Sequence, residues 1–531
     1  MNVNYIDYSA TGYFAKPIVD YLNQNSKLSP FIAFNPDIEG FRRAIAKRNF
    51  TGDRKILAEA IEKQYQKTLG GDIPDAVKEN LALLEQSNTF TITTGHQLNI
   101  FTGPLYFIFK IVTAINLAKE LKEKFPEKNF VPVYWPATED HDFEEINHTE
   151  IQGRKIHWNE NATGATGRLS TKTLSEAVKE YKSCLGISAN SQQLSDLIDK
   201  AYCSNKTLAE ATRYFVHSLF KAYGLIIIDA DDRVFKKQFA DVIKRDLLES
   251  NSFKNITESS EMLRQAGYKT QVNAREVNFF YLLDNLRERI VLEGEKYFVL
   301  NTDISFSKEE MICEIEDYPE RFSPNVILRP LYQELILPNI AYIGGGAEIV
   351  YWLQLKSNFD FYEVDFPVLI LRNSALIATE GFSQKLSRLG LNPEDLFRDT
   401  ELIKREWVLK NSEHILNLED EMKDFRCVFE RLKLRTYKID PTLTPSTQAV
   451  KVRLMKALSN LEKKMIKAEK RNHQDALSQL DSIKSKYFPA NGLQERKENF
   501  GSFYVKYGPS FIEMLIKVFK PLDFKFTILE P

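Results

Sequence analysis

Cysteine is scarce in this chain of 531 residues: only Cys184, Cys203, Cys313 and Cys427, with no pair at CxxC spacing. That spacing argues against a zinc ribbon or a disulfide framework and for structural thiols in a reducing compartment. Net charge is nearly absent, with 71 Lys and Arg against 73 Asp and Glu, so neither nucleic acid nor a membrane surface is expected as partner. No apolar run approaches the length of a spanning helix, and MNVNYIDYSA lacks the basic start and apolar stretch of a secretory signal. A cytoplasmic location follows as the expectation. Also missing are a Walker loop, a GxGxxG fingerprint and HExxH spacing, so no nucleotide or metal site is announced by its usual motif.

What is present is enough apolar residue, 43%, for sizeable cores, and a length that calls for two or more domains. The first 85 residues read as mainly helical, for instance Phe41 to Tyr65, with breaks at Ser26–Pro36 and Gly70–Pro74. Phe90-Thr-Ile-Thr-Thr94 then reads as a strand. Leu105 to Leu121, with Phe109, Val112, Ile115 and Leu121 at helical spacing, reads as a helix with Pro104 in its first turn. Phe130-Val-Pro-Val-Tyr-Trp135 is a second strand, which completes a right-handed βαβ unit. Leu225–Asp229, Asn325–Pro330, Ile340–Ile343 and Pro367–Leu371 are further strand candidates. Their continuous apolar character fits a parallel sheet covered on both faces. Arg154–Gly186 and Glu276–Leu300 read as insertions, with Tyr297–Leu300 in a small antiparallel patch.

Beyond Arg372 the pattern becomes helical. Ile415, Leu418, Met422, Phe425, Phe429 and Leu432 step mostly by three and four. After Pro441 and Pro445, a second stripe runs from Val450 to Ile483. Together they predict an antiparallel coiled-coil hairpin whose bare faces favour self-association. Asn472 in the second stripe reads either as a register-fixing residue or as a simple polar gap. The expected division is a core over 1–375, a helical coiled-coil domain over 376–500, and a segment over 501–531 that packs back on the core.

Three clusters carry candidate chemistry. Gly95-His96-Gln97 follows the first strand, on the crevice side of an open α/β sheet, where a histidine can meet a phosphate or oxyanion and a helix starting near Gly103 can offer N–H groups. A satisfied structural histidine is the competing reading. Pro136-Ala-Thr-Glu-Asp-His-Asp-Phe-Glu-Glu-Ile-Asn-His148 puts five acids and two histidines at the end of the second strand. Glu139, Asp140, His141 and Asp142 there suit an amine, a sugar or a metal. Asp142 with Glu145 also reads as the start of an acid-rich helix. Arg329-Pro-Leu-Tyr-Gln333 and Tyr342-Ile-Gly-Gly-Gly-Ala-Glu348 form the third: an arginine able to clamp a carboxylate or phosphate, and glycines that admit a ligand or simply turn the chain.

These blocks, in order with Ser323-Pro-Asn, Leu337-Pro338, Phe488-Pro and Leu493-Gln-Glu-Arg496, resemble the bacillithiol biosynthesis cysteine-adding enzyme family along nearly the full chain. The resemblance implies a Rossmann-like parallel-sheet core with connecting insertions plus an all-α antiparallel coiled-coil domain, and a homodimer through that domain. It implies an amide-forming ligase that adds L-cysteine to the glucosamine amine of glucosaminyl-malate. The family core is similar to nucleotidyltransferase folds in which a histidine motif contacts ATP. Here only His96 matches that motif, no Lys-Met-Ser-Lys-Ser loop is evident, and Lys385-Leu-Ser-Arg388 reads as an amphipathic helix. ATP or ADP is thus expected by analogy, near Gly103, Gly344, Gly345 and Gly346.

On this reading His96, Asp140, His141 and Asp142 are the catalytic candidates, the three from the acidic loop positioning and deprotonating the amine. Gly95, Gln97, Glu139, Asn147, Arg329, Gln333, Tyr342 and Glu348 are the substrate-binding candidates, and no metal is expected. The alternatives are a nucleotidyl-transfer or pantothenate-synthetase-like enzyme for another acid and amine, and a non-catalytic coiled-coil scaffold.

Overall fold

A computed structural model describes residues 1–531 and divides into two units. The first comprises Met1–Ile377 with Leu493–Leu529 and the terminal Pro531; the second comprises Ala378–Gly492 with Glu530. No helix is long and apolar enough to cross a membrane.

At the centre of the first unit lies a five-stranded sheet, parallel throughout. Its spatial order is Val368–Leu371, Asn339–Gly344, Thr89–His96, Asn129–Pro136, Ile226–Ile227. The chain starts in the middle, moves outward to one edge, then returns to build the other side. That reversal makes a topological switch point between Thr89–His96 and Asn339–Gly344, where crevices open beyond the carboxyl ends of the strands. The strands are buried on both faces, and where the central pair carries polar side chains they satisfy each other: Thr91 and Thr93 hydroxyls donate to Asn339 Oδ1. Phe90, Ile92, Ile340, Ile343, Val368 and Ile370 share one core with Ala114, Leu117 and Leu121 of the helix Tyr106–Lys124.

Several expectations shift in detail. The segment Phe41–Tyr65 is two helices, Ile38–Lys47 and Arg54–Leu69, because Asp53 caps the second through Ile56 N–H. Asn325–Pro330 is no strand. The Asn325 Oδ1 accepts from Ile327 and Leu328 N–H, turning the chain directly into the helix Arg329–Ile336. The strand lies just before it, Phe322–Pro324, antiparallel to Phe279–Leu283 in a second five-stranded sheet that also holds Leu286–Glu293 and Lys296–Val299. Near the C-terminus, Lys525–Glu530 lies between Asn2–Asp7 and Ser374–Ile377 in a three-stranded sheet.

The second unit holds the helical hairpin, Glu419–Ile439 and Thr444–Asn472, with Asp440 and Pro441 at its turn. Ile415 and Leu418 precede the first helix. The second stripe is not one helix to Ile483. It stops at Asn472 and restarts as Gln474–Tyr487, with Asn472 Nδ2 turned back to Glu469 at 2.8 Å, so Asn472 ends a helix. Lys385–Arg388 lies in the helix Phe382–Arg388.

Candidate functional site

A cavity of about 800 Å³ opens at the switch point, lined by the ends of three core strands and by the antiparallel sheet. Gly95, His96, Gln97, Glu139, Asp140, His141, Arg329, Tyr342, Gly345, Gly346 and Glu348 all line it. Segments far apart in sequence meet here because parallel strands deliver their carboxyl ends to one edge.

Its floor is an ion pair between the buried Lys110 and the half-buried Glu348. Lys110, on the helix after the first strand, reaches Gly95 O at 2.7 Å and Glu348 Oε2 at 2.5 Å. Glu348 also accepts from Tyr342 Oη–H at 2.8 Å and Gly345 N–H at 2.7 Å. Burial works against its charged form, but Lys110 and these hydrogen bonds outweigh it and hold the carboxyl below its ordinary range. Above this floor His96 packs against Tyr106 and Phe107. Burial first, then the nearby Lys110 and Arg372, push its imidazole down to about 3, so it is neutral at physiological pH.

Three nitrogens on lining residues are buried without any partner: His96 Nε2, Arg329 Nη2 and Arg372 Nε. Buried polar atoms are nearly always satisfied, so three orphans around one cavity, two of them guanidinium donors, mark a place prepared for a polar ligand that accepts hydrogen bonds. Arg329 is held by Nη1, which donates to Gln333 Oε1 at 3.0 Å. Arg372 is held by the fully buried Glu495 at 2.7 Å, and stranding either charge of such a pair costs about 3–5 kcal/mol.

A second part of the lining carries the carboxylates Glu139, Asp140 and Glu145. Gln97 Nε2 donates to Asp140 Oδ2 at 2.8 Å and to Glu145 Oε2 at 2.5 Å, joining the first two sequence clusters. Burial would raise the Asp140 carboxyl. Hydrogen bonds from His141 and Gln97, with the Arg287 guanidinium nearby, outweigh it and hold Asp140 well below the usual carboxylate range. Arg287 Nη1 lies 2.6 Å from His141 Nδ1; a guanidinium has only donors, so Nδ1 accepts and the imidazole proton sits on Nε2. Glu139 is anchored by the buried Lys236 at 2.6 Å.

Five of the sequence candidates fall outside the cavity lining. Asp142 caps the short helix Phe143–Ile146 through Glu145 N–H at 3.3 Å. Asn147 bonds His148 and Glu144, and Gln333 supports Arg329 from behind. Gly344 is packed under Glu348, and the Gly103 carbonyl accepts from Asn499 Nδ2 at 2.6 Å. Four of the N–H groups around the start of the following helix are also taken. Leu105 N–H donates to Glu498 O, Phe107 N–H to Pro104 O, and Ile108 and Phe109 N–H to Leu105 O. Sequence reasoning missed Lys110, Arg287, Arg372 and Arg496, all of which line the cavity.

Fold and site together define a Rossmann-like α/β protein with a polar cavity at its switch point and a helical hairpin in a separate unit. The N-terminal Rossmann-like domain of bacillithiol biosynthesis BshC matches residues 1–373, and the C-terminal coiled-coil domain of BshC matches residues 375–531. The chain belongs to the BshC family of bacillithiol biosynthesis. Among its relatives, a protein of Flavobacterium johnsoniae is 46% identical over the whole of both chains. One of Flavobacterium psychrophilum is 44% identical over the whole of both, and one of Christiangramia forsetii is 42% identical over all of this chain and 99% of its own. Each bears the name "Putative cysteine ligase BshC".

Proposed function

We propose that this chain is a ligase that joins the carboxyl group of L-cysteine to the amine of glucosaminyl-malate, forming the amide of bacillithiol. One observation carries the reading: a single cavity brings together arginines with unpartnered nitrogens and the carboxylates Glu139, Asp140 and Glu145. Malate carboxylates fit the first and an amino sugar fits the second. Arg329, with Nη2 free, takes a malate carboxylate. Asp140 and Glu139 receive the amine as an ammonium and orient it. A carboxylate held as firmly ionised as Asp140 anchors a cation well but is a poor base, so its role is positioning rather than proton removal.

The ammonium loses one proton to solvent before it attacks. Amide formation then makes the N–C bond as the activated carboxyl loses its leaving group, which carries away the nitrogen's second surplus proton, and charge builds on the carbonyl oxygen as the bond forms. His96, neutral and with Nε2 unpartnered, offers one N–H to that oxygen without adding a fixed charge. With Arg329 Nη2 on malate and His96 Nε2 on the carbonyl oxygen, the unpartnered lining nitrogen left to fit an ATP or ADP phosphate is Arg372 Nε. At the glycine turn Glu348 already accepts from Gly345 N–H, and its carboxylate beside a phosphate weighs against that turn. ATP, when bound, supplies carboxyl activation.

Incubation of the purified chain with cysteine, glucosaminyl-malate and ATP, ADP or no nucleotide, with mass detection of the thiol product, tests the reading. Product in any arm supports it and identifies the nucleotide requirement. No product in any arm sinks it.

A further inference from the structure

The Leu493-Gln-Glu-Arg496 motif has no part in the chemistry above, yet it sits against the cavity. Gln494 brackets Ile377, accepting from its N–H at 2.9 Å and donating to its carbonyl at 3.1 Å. Glu495 is fully buried and has both oxygens engaged. Its Oε1 accepts from Arg372 Nη2 at 2.7 Å and its Oε2 from Ala375 N–H at 2.9 Å. Arg372 Nη1 in turn donates to Asn373 O and Ser374 Oγ, each at 3.0 Å. Every donor-bearing nitrogen of this buried guanidinium is therefore occupied except Nε, which lies beside Gly345 in the cavity lining. Arg496, next in sequence to Glu495, also lines the cavity, is exposed and forms no ion pair.

We propose that this segment completes the ligand site: Glu495 is a positioning residue that presents Arg372 Nε to the cavity, and Arg496 is a binding residue for the same oxyanion. A guanidinium is planar, so fixing both terminal nitrogens fixes the direction of Nε–H. The ligand group is a carboxylate or a phosphate, since both accept from two guanidinium donors. The inference rests on the ligase reading only for the choice of one probe.

Calorimetric binding of L-malate, for a carboxylate, and of pyrophosphate, for a phosphate, to the full chain provides the test without any turnover. Arg496→Gln and Glu495→Gln should each weaken one of the two probes by about tenfold or more, the size of one lost charge-assisted hydrogen bond. The probe affected identifies the source. Glu495→Gln should add less than twofold in an Arg372→Lys background, because its effect passes through Arg372. A structural role predicts instead a lower melting temperature with unchanged affinity, and that result overturns the proposal. So does Arg496→Gln with wild-type affinity, which decides the matter if Glu495→Gln does not fold, and so does failure of both probes to bind the wild type. Intact probe binding without ligase product would sink the ligase reading and leave this site standing.

Discussion

His96 shows how burial and chemistry combine at one residue. Its imidazole is neutral because a charge there would be desolvated beside Lys110 and Arg372. The unfolded chain binds, near pH 6.5, the proton that the folded chain refuses until about pH 3. Its contribution to stability is therefore complete above pH 6.5 and is lost as pH falls toward 3. His96→Asn should lose about 10²–10³ in turnover, as for one oxyanion donor. Its melting temperature, measured from pH 7 to pH 4, should fall less steeply than that of the wild type. Normal turnover would make His96 a packing residue. Glu334 has the opposite sign. Burial raises its carboxyl to about 7, while Gln333 and Asn339 donate to Oε1 and Oε2 has no partner. Folding favours its protonated form, so its contribution is present at acid pH and is lost as pH rises through 7. Glu334→Gln, uncharged and of the same shape, should melt higher than wild type at pH 8.5 and nearly with it at pH 5. A wild-type melting curve at pH 8.5 would refute this.

The turn Ile100–Thr102 and its neighbour Gly103 hold the helix Tyr106–Lys124 against the cavity, and they do so under strain. Phe101, Thr102 and Gly103 all have positive φ, and a Cβ on Gly103 would stand 2.6 Å from Asn99 Cβ. Asn499 stabilises this run, donating to Phe101 O at 2.9 Å and Gly103 O at 2.6 Å. Gly103→Ala should therefore cost about 1–3 kcal/mol by denaturant unfolding, well above a surface Gly→Ala change; a neutral result would mean that the turn relaxes freely. Such elements divide what sequence reveals from what it hides. The strands at Phe90, Phe130, Ile340 and Pro367 are legible because each is a short apolar run closed by turn residues, and the parallel order follows from the connections. The acidic loop is legible because so many charges after one strand are unusual. Lys110 is hidden because it stands among Phe109 and Ile111 in an ordinary helical stripe. Arg287 and Arg372 read as surface charges until distant segments bury them, and Asn325 reads as a strand start because its side-chain turn leaves no periodic signature.

At the scale of the whole molecule, the hairpin of the second unit has more apolar surface than one copy buries. Phe429 is buried within it, but Phe425, Leu432, Leu454 and Leu461 are exposed, the last two at 41% and 50%. Each of these pairs is spaced by seven residues, so each helix presents a continuous stripe. Two helices cannot cover both of their faces, and a second copy of the same hairpin is complementary to the stripe by symmetry. We propose a homodimer through this hairpin. Burying one leucine stabilises by ~1.5–3 kcal/mol, and a two-fold interface counts each residue twice. Replacing both Leu454 and Leu461 by glutamate should thus convert a dimer into a monomer at micromolar concentration. The helix content should persist, because neither side chain is buried inside the chain. Phe429→Asp is the wrong probe for this purpose, since it would disturb the hairpin before any contact between copies. Sedimentation velocity reads the outcome directly: a monomeric wild type, or a Leu454→Glu, Leu461→Glu variant that still sediments as a dimer, would remove this stripe from the interface.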